Sequence, residues 1–291
     1  MSPYLVDAPD IFVESRTKPI SNVPEMINGN RPTDGGNLIV EADDYNNLLK
    51  QEPNAAQYVR RFMGSEEFIN DKKRHCLWLL GADPVELRKM PLIMERVGKC
   101  RQSRLSSTKK TTRDCAETPS LFQEIRQPKT HYLAVPEVSS EKRRYIPIGY
   151  LSPDVIASNK LHVVPNATLY HFGILTSNVH MAWVRVVCGR LKSDYDYSKN
   201  IVYNNFPWPD ASEAQKTAIE KLAQAILDAR SLFPASSLAD LYDPLTMPPQ
   251  LLKAHKTLDT AVMKLYGFPA AMPEAAVVAA LMGRYQKIVV R

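Results

Sequence analysis

Apolar positions along this chain follow two different periods, and the change between them divides it. In the first two thirds the apolar runs are short. Asn37–Glu41 (NLIVE) follows the turn signal Asp34-Gly35-Gly36, and Cys76–Leu80 (CLWLL), closed by Gly81, has the character of a buried strand. Tyr132–Val135, Tyr145–Tyr150 and Leu161–Val164 are β-branched or aromatic and are separated by Pro, Ser and Asn, so they predict strands of a sheet. Pro84–Val97 predicts a helix with Asp83 as N-cap, Pro84 in the first position and a kink at Pro91. Asn178–Leu191 predicts a helix ending at Gly189-Arg190, because Val179, Trp183 and Val186-Val187 recur at helical spacing.

From Ser212 onward the period is helical throughout. Ser212 and Gln215 form a capping box before an amphipathic run to Leu232, which Pro234 stops just after Phe233. Pro249–Tyr266, closed by Gly267, and Pro273–Val290 give two more helices. The expected fold is therefore α+β. A mixed, sheet-containing domain over residues 1–209, with a connector segment over about 1–35, precedes a small all-α helical domain over 210–291. The boundary is expected near Pro207–Asp210.

Composition narrows the class. With 44% apolar and 23% charged residues in 291, the chain is globular. No apolar run approaches the roughly 20 residues of a membrane span. The N-terminal MSPYLVDAPDIFVESR lacks the basic-then-apolar pattern of a secretory leader, which points to the cytoplasm. Cys76, Cys100, Cys115 and Cys188 form no C-x-x-C pair and read as reduced thiols. Lys plus Arg exceeds Asp plus Glu by 37 − 31 = 6, and the excess is clustered. Arg96–Arg113 carries seven basic residues and no acid. Lys142-Arg143-Arg144 forms a second cluster, and Arg185, Arg190, Lys192 and Lys199 flank Asp194 and Asp196. Clusters of this kind point to a polyanionic partner.

Catalytic patterns are missing. There is no Gly-rich phosphate loop, no G-x-G-x-x-G turn, no G-x-S-x-G elbow and no histidine pair at metal-binding spacing. Asp71-Lys72-Lys73 has the D-x-K spacing of metal-dependent nucleases, but a solvated turn before CLWLL explains it better. Tyr203-Asn204-Asn205-Phe206-Pro207 lacks the Pro-Pro of the base-gripping loop in adenine methyltransferases. Neither a metal nor a cofactor is expected to bind this chain.

Three long segments carry a family resemblance. GSEEFINDKKRHCLWL (Gly64–Leu79), VPEVSSEKRRYIPIGYL (Val135–Leu151) and LYHFGILTSNVHMAWVRVVCGRLKSDYDYSKNIVYNNFPWP (Leu169–Pro209) closely resemble the MmeI-like enzymes, and the similarity runs from Pro3-Tyr4-Leu5 through the last helix. These are large restriction-modification proteins of the type IIG/IIL kind. In them a nuclease and an adenine-N6 DNA methyltransferase precede a target-recognition domain and a helical C-terminal domain. The resemblance implies that this chain corresponds to the C-terminal part, as a fragment, a split gene product or a decayed remnant. S-adenosylmethionine and Mg2+ would then belong to a missing catalytic half, fused or separate, and the partner of this chain would be double-stranded DNA. A stand-alone nucleic-acid-binding regulator and, less favoured, a metal-dependent nuclease are the alternatives.

Candidate DNA contacts follow from residue type. If Gly189–Ser198 continues as one extended strand, Lys192, Asp194 and Asp196 share a face. Lys donates to guanine O6 and N7, and Asp accepts from cytosine N4, so Lys192 and Asp194 could grip one G·C pair. A surface Lys–Asp ion pair is the other reading of the same spacing. The family resemblance implies that these two positions read one base pair, and that Asp196 with Lys160 helps to read another. Arg101, Arg104, Lys109, Lys110, Arg113, Lys142, Arg143, Arg144 and Arg190 are candidate phosphate contacts, either within a loop ordered by DNA or as a merely solvated loop. Trp183, Tyr195, Tyr197 and Trp208 fit core positions better than base stacking.

Overall fold

Asp83 accepts a hydrogen bond from the Val85 amide at 2.8 Å, and Pro84 follows in the first helical position, so a helix begins where expected. It ends at Arg88. In the computed structural model, which describes residues 12–290, Pro91 does not kink this helix but opens a second one, Pro91–Leu105. The first free amides of that helix, on Leu92 and Ile93, donate to the buried Glu52 carboxylate at 2.6 and 3.2 Å. An anion at a helix N-terminus satisfies orphan donors and complements the helix dipole. Much of the acid-free basic run is thus helical: Pro91–Leu105 is followed by a short turn and the helix Lys110–Asp114. The expectation of a loop there is corrected.

These helices belong to a unit formed by Asn28–Lys129 and Ser152–Leu161. Its sheet runs in the order Ile39–Glu41, Arg74–Leu77, Val59–Met63, Ile156–Ala157. The first three strands are antiparallel, and the last is parallel to Val59–Met63. Its core is built from Leu38, Val40, Phe62 and Leu77 of the sheet layer with Leu87, Ile93, Val97 and Cys100 of the helices.

The other unit takes the described residues up to Ile27, Thr130–Leu151, and His162 onward. One sheet has the order Ile27–Asn28, Leu161–Pro165, Tyr132–Pro136, Gly149–Leu151, and a second has the order Gly189–Leu191, Asp194–Asp196, Val138–Ser139. Of the expected strand Tyr145–Tyr150 only the end is a strand, while Tyr145, Ile146 and Ile148 are buried in irregular chain. The Ser212 box forms as expected: Gln215 N donates to Ser212 Oγ at 3.3 Å and Ser212 N to Gln215 Oε1 at 2.8 Å, opening the helix Glu213–Ser231. Pro249–Leu265 and Glu274–Val289 complete the helical part, which also contains a short helix, Leu238–Leu241, that the pattern did not predict.

The expected break near Pro207–Asp210 does not separate two packed bodies. Leu133, Val135 and Trp183 share one core with Ile219, Leu258 and Leu281. A Cβ on Gly173 would meet Ile219 Cγ2 at 2.7 Å, so only glycine lets the Leu169–Leu175 helix approach the Glu213–Ser231 helix this closely. A buried polar network also spans the two parts. Asp259 accepts from Tyr145 OH at 2.6 Å and from Asn178 N at 2.7 Å, and Arg230 donates to Ile148 O at 2.7 Å. Burial holds the Asp259 carboxyl above its usual range, with those two hydrogen bonds opposing the shift. Trp183, Tyr195, Tyr197 and Trp208 are all buried, as their spacing indicated.

Candidate nucleic-acid interface

The Asn178–Val187 helix stops short of its expected end because Cys188 turns to an extended conformation, with ψ 136°. Gly189–Leu191 is then a strand, not a last helical turn. It pairs antiparallel with Asp194–Asp196 in the register Gly189↔Asp196, Arg190↔Tyr195, Leu191↔Asp194. Lys192 and Ser193 form the two-residue turn between them. The single extended strand expected over Gly189–Ser198 is therefore a hairpin. Lys192 does not share a strand face with Asp194 but stands exposed at the tip, with φ 57°. A side chain in this left-handed region costs about 1–2 kcal/mol unless its surroundings hold it there.

Arg190 supplies the hold. Its guanidinium lies 4.1 Å from the Tyr195 ring centroid, and Nη1 donates to Ser193 O at 3.1 Å. Tyr195 is buried, so the stack ties the turn to the core. On the other face of the hairpin stand Asp194 and Asp196, both half-buried, with Leu191 exposed beside them. Asp194 Oδ1 accepts from Glu141 N at 3.2 Å, which links the hairpin to the turn carrying Lys142-Arg143-Arg144. No ion pair joins Lys192 to Asp194 among the described residues. Lys142 and Arg144 are exposed. Arg143 is half-buried, and burial lowers its pKa against the pull of Asp194 and Asp243.

In the unit of Asn28–Lys129 the basic residues separate into two kinds. Arg101, Lys109, Lys110 and Arg113 are exposed. Arg113 also donates to Ser107 O and Thr108 O, each at 2.8 Å, and Lys110 pairs with Asp114 at 3.3 Å. Arg104 differs from all of them. It is 1% exposed, and its guanidinium donates to five backbone carbonyls, those of Pro32, Thr33, Cys115, Thr118 and Leu121, at 2.6–2.9 Å. Nothing of it is left for a phosphate, so its assignment as a phosphate contact is corrected to a structural one. Lys160 is exposed in this same unit, just after the strand Ile156–Ala157, whereas Asp196 belongs to the other unit.

Asp71, the acid of the nuclease alternative, is an exposed helix cap at φ 50° paired with Arg61 at 3.3 Å. Among the described residues no group of three His, Cys, Asp or Glu side chains comes together to hold a metal.

Two family descriptions divide the chain between them: "MmeI, target recognition domain" matches residues 7–210, and "MmeI, C-terminal domain" matches residues 211–291. The chain belongs to the MmeI family. A solved structure of the type IIL restriction-modification enzyme MmeI in complex with DNA is 48% identical and superposes with a TM-score of 0.96. That match covers all of this chain and 39% of the other. DNA methyltransferase A of Bacillus subtilis (strain 168) is 43% identical over 266 residues, which are 91% of this chain and 30% of that protein. The chain thus spans about a third of the length of the relatives it matches. Sequence reasoning missed two residues of the hairpin, Arg190 as a clamp and Leu191 as an exposed apolar neighbour of Lys192. A turn at Lys192-Ser193, without Gly or Asn, carries no signal that would have placed them.

Proposed function

We propose that this chain reads DNA sequence for a restriction-modification enzyme. One observation carries the reading: in a chain of the MmeI family, a clamped hairpin projects Lys192 at its tip and presents Asp194 and Asp196 along one face. Lys192 donates to guanine and Asp194 Oδ2 accepts from cytosine N4 of one pair. Asp196 and Lys160 are assigned to base reading as well. The exposed cations Arg101, Lys109, Lys110, Arg113, Lys142 and Arg144 contact phosphates, which position the protein without specifying sequence. Duplex DNA is the partner, and the cytoplasm is the compartment. Among the described residues no helix is long and apolar enough to cross a membrane. Adenine-N6 methyl transfer and cleavage, with S-adenosylmethionine and Mg2+, belong in this reading to a catalytic half, fused or separate.

The test is equilibrium binding of the purified chain to duplex DNA across a salt series, followed by selection from a random duplex pool. If these six exposed cations reach phosphates, log K against log salt falls with a slope of roughly −5. Selection returns one short target. Salt-independent binding, or a pool that shows no enrichment, contradicts the proposal.

A further inference from the structure

The face of the hairpin that carries the two aspartates holds one side chain that no packing explains. Leu191 is 55% exposed and belongs to neither apolar core. Its register partner is Asp194, so both project to the same side, and it directly precedes Lys192. Gly189, opposite Asp196, leaves the rest of that strand face bare. The hairpin therefore offers two carboxylate acceptors, one apolar group and a gap. It is held from behind by the Arg190 stack on Tyr195 and from the side by the Glu141–Asp194 hydrogen bond.

The major-groove edge of DNA presents the matching set, with exocyclic amines as donors and the pyrimidine C5 position as its apolar point, methylated in thymine. Side chains directly opposite across two strands stand about 5 Å apart. Successive bases rise about 3.4 Å per strand. A leucine opposite Asp194 therefore meets the pair that Asp194 reads or the pair next to it. We infer that Leu191 is a specificity-determining residue that contacts the C5 methyl group of a pyrimidine at or beside the base pair read by Lys192 and Asp194. The inference rests on the proposed DNA-reading role of the hairpin.

Every base pair contains one pyrimidine, so every position can be probed. The target selected by the intact chain is remade with deoxyuridine for one thymine at a time and with 5-methylcytosine for one cytosine at a time. Each duplex is titrated with the parent chain and with Leu191→Ala and Leu191→Met. One methyl group buried against Leu191 changes affinity by about fourfold. The expected result is a single position where losing the methyl weakens binding, or gaining it strengthens binding, by about that factor. Leu191→Ala erases the effect and Leu191→Met retains it, and both variants keep the parent's thermal midpoint because the side chain is outside the core. A parent chain that selects a target but senses no methyl group overturns this inference and leaves the DNA-reading role standing. Sensitivity that persists in Leu191→Ala also overturns it. A parent chain that selects no target overturns both.

Discussion

Replacing Arg104 by methionine separates a structural role from a phosphate contact. The guanidinium donates to five carbonyls that converge from Pro32-Thr33 and from the Cys115–Leu121 segment, and the side chain is 1% exposed. Hydrogen bonds from a charged donor contribute about 1.5–3 kcal/mol each, and every buried carbonyl left bare costs about 1–3 kcal/mol. The five are not additive, since the turn can relax toward water and pair with it. A loss of at least about 4 kcal/mol is still expected, which is in the range reserved for a broken buried network. With a urea m-value of about 2 kcal/mol/M, the unfolding midpoint falls by about 2 M. Urea denaturation followed by circular dichroism measures it. Arg104→Lys, with three donors and no fork, falls between the parent and the methionine variant. A midpoint change equivalent to less than about 1 kcal/mol, together with a salt slope of DNA binding flattened by about 1, would refute the structural reading and restore Arg104 as a phosphate contact.

Three further outcomes are expected. Changing Lys109, Lys110 and Arg113 to alanine weakens binding to all duplexes alike and flattens the salt slope by up to about 3, whereas a change in target preference would contradict their role. Arg190→Ala loses selectivity at the pair read by Lys192 while the salt slope stays constant, because the guanidinium supports the turn from the Tyr195 side; a slope reduced by about 1 would make it a phosphate contact instead. Stability should fall as the pH drops below about 6.5. Burial pushes His180 down to about 3 and also lowers His162 and His255, so the folded imidazoles stay neutral while the unfolded chain takes up protons. Stability present above about pH 6.5 is lost as the pH falls, toward about pH 3 for His180, at up to about 1.4 kcal/mol per pH unit for each histidine that only the unfolded chain protonates, and His180→Gln makes the pH dependence shallower in urea titrations.

Local chemistry made the helix starts legible. Asp83 and Ser212 cap helices because their oxygens reach amides two or three residues on, a geometry set within a few residues. The α+β class, the three long C-terminal helices and the buried aromatics followed from periodicity in the same way. What escaped depends on distant partners. Pro91 suits both a kink and a first helical position, and Glu52, far away in sequence, decides for the second. Arg104 stands among exposed cations, and only the convergence of two remote segments buries it. The hairpin was hidden because Lys192 adopts a left-handed conformation without the usual Gly or Asn, held there by Arg190 and Tyr195. The change of composition after Pro209 is real, but a shared core crosses it, since sequence periodicity reports which face is apolar and not what covers it.

Base reading by the hairpin tip is probed by a charge exchange at Lys192 and Asp194. Lys192→Glu together with Asp194→Arg presents an acceptor where guanine sat and a bidentate donor where cytosine sat. Each single change leaves two like charges beside one pair and loses about 1–3 kcal/mol, as for a mismatched pair. The measurement is selection of the double variant on a random duplex pool beside the parent chain. The expected result is that G·C becomes C·G at one position of the target and that every other position is unchanged. An unaltered target, or preference lost at several positions at once, would show that Lys192 and Asp194 are ordinary surface charges.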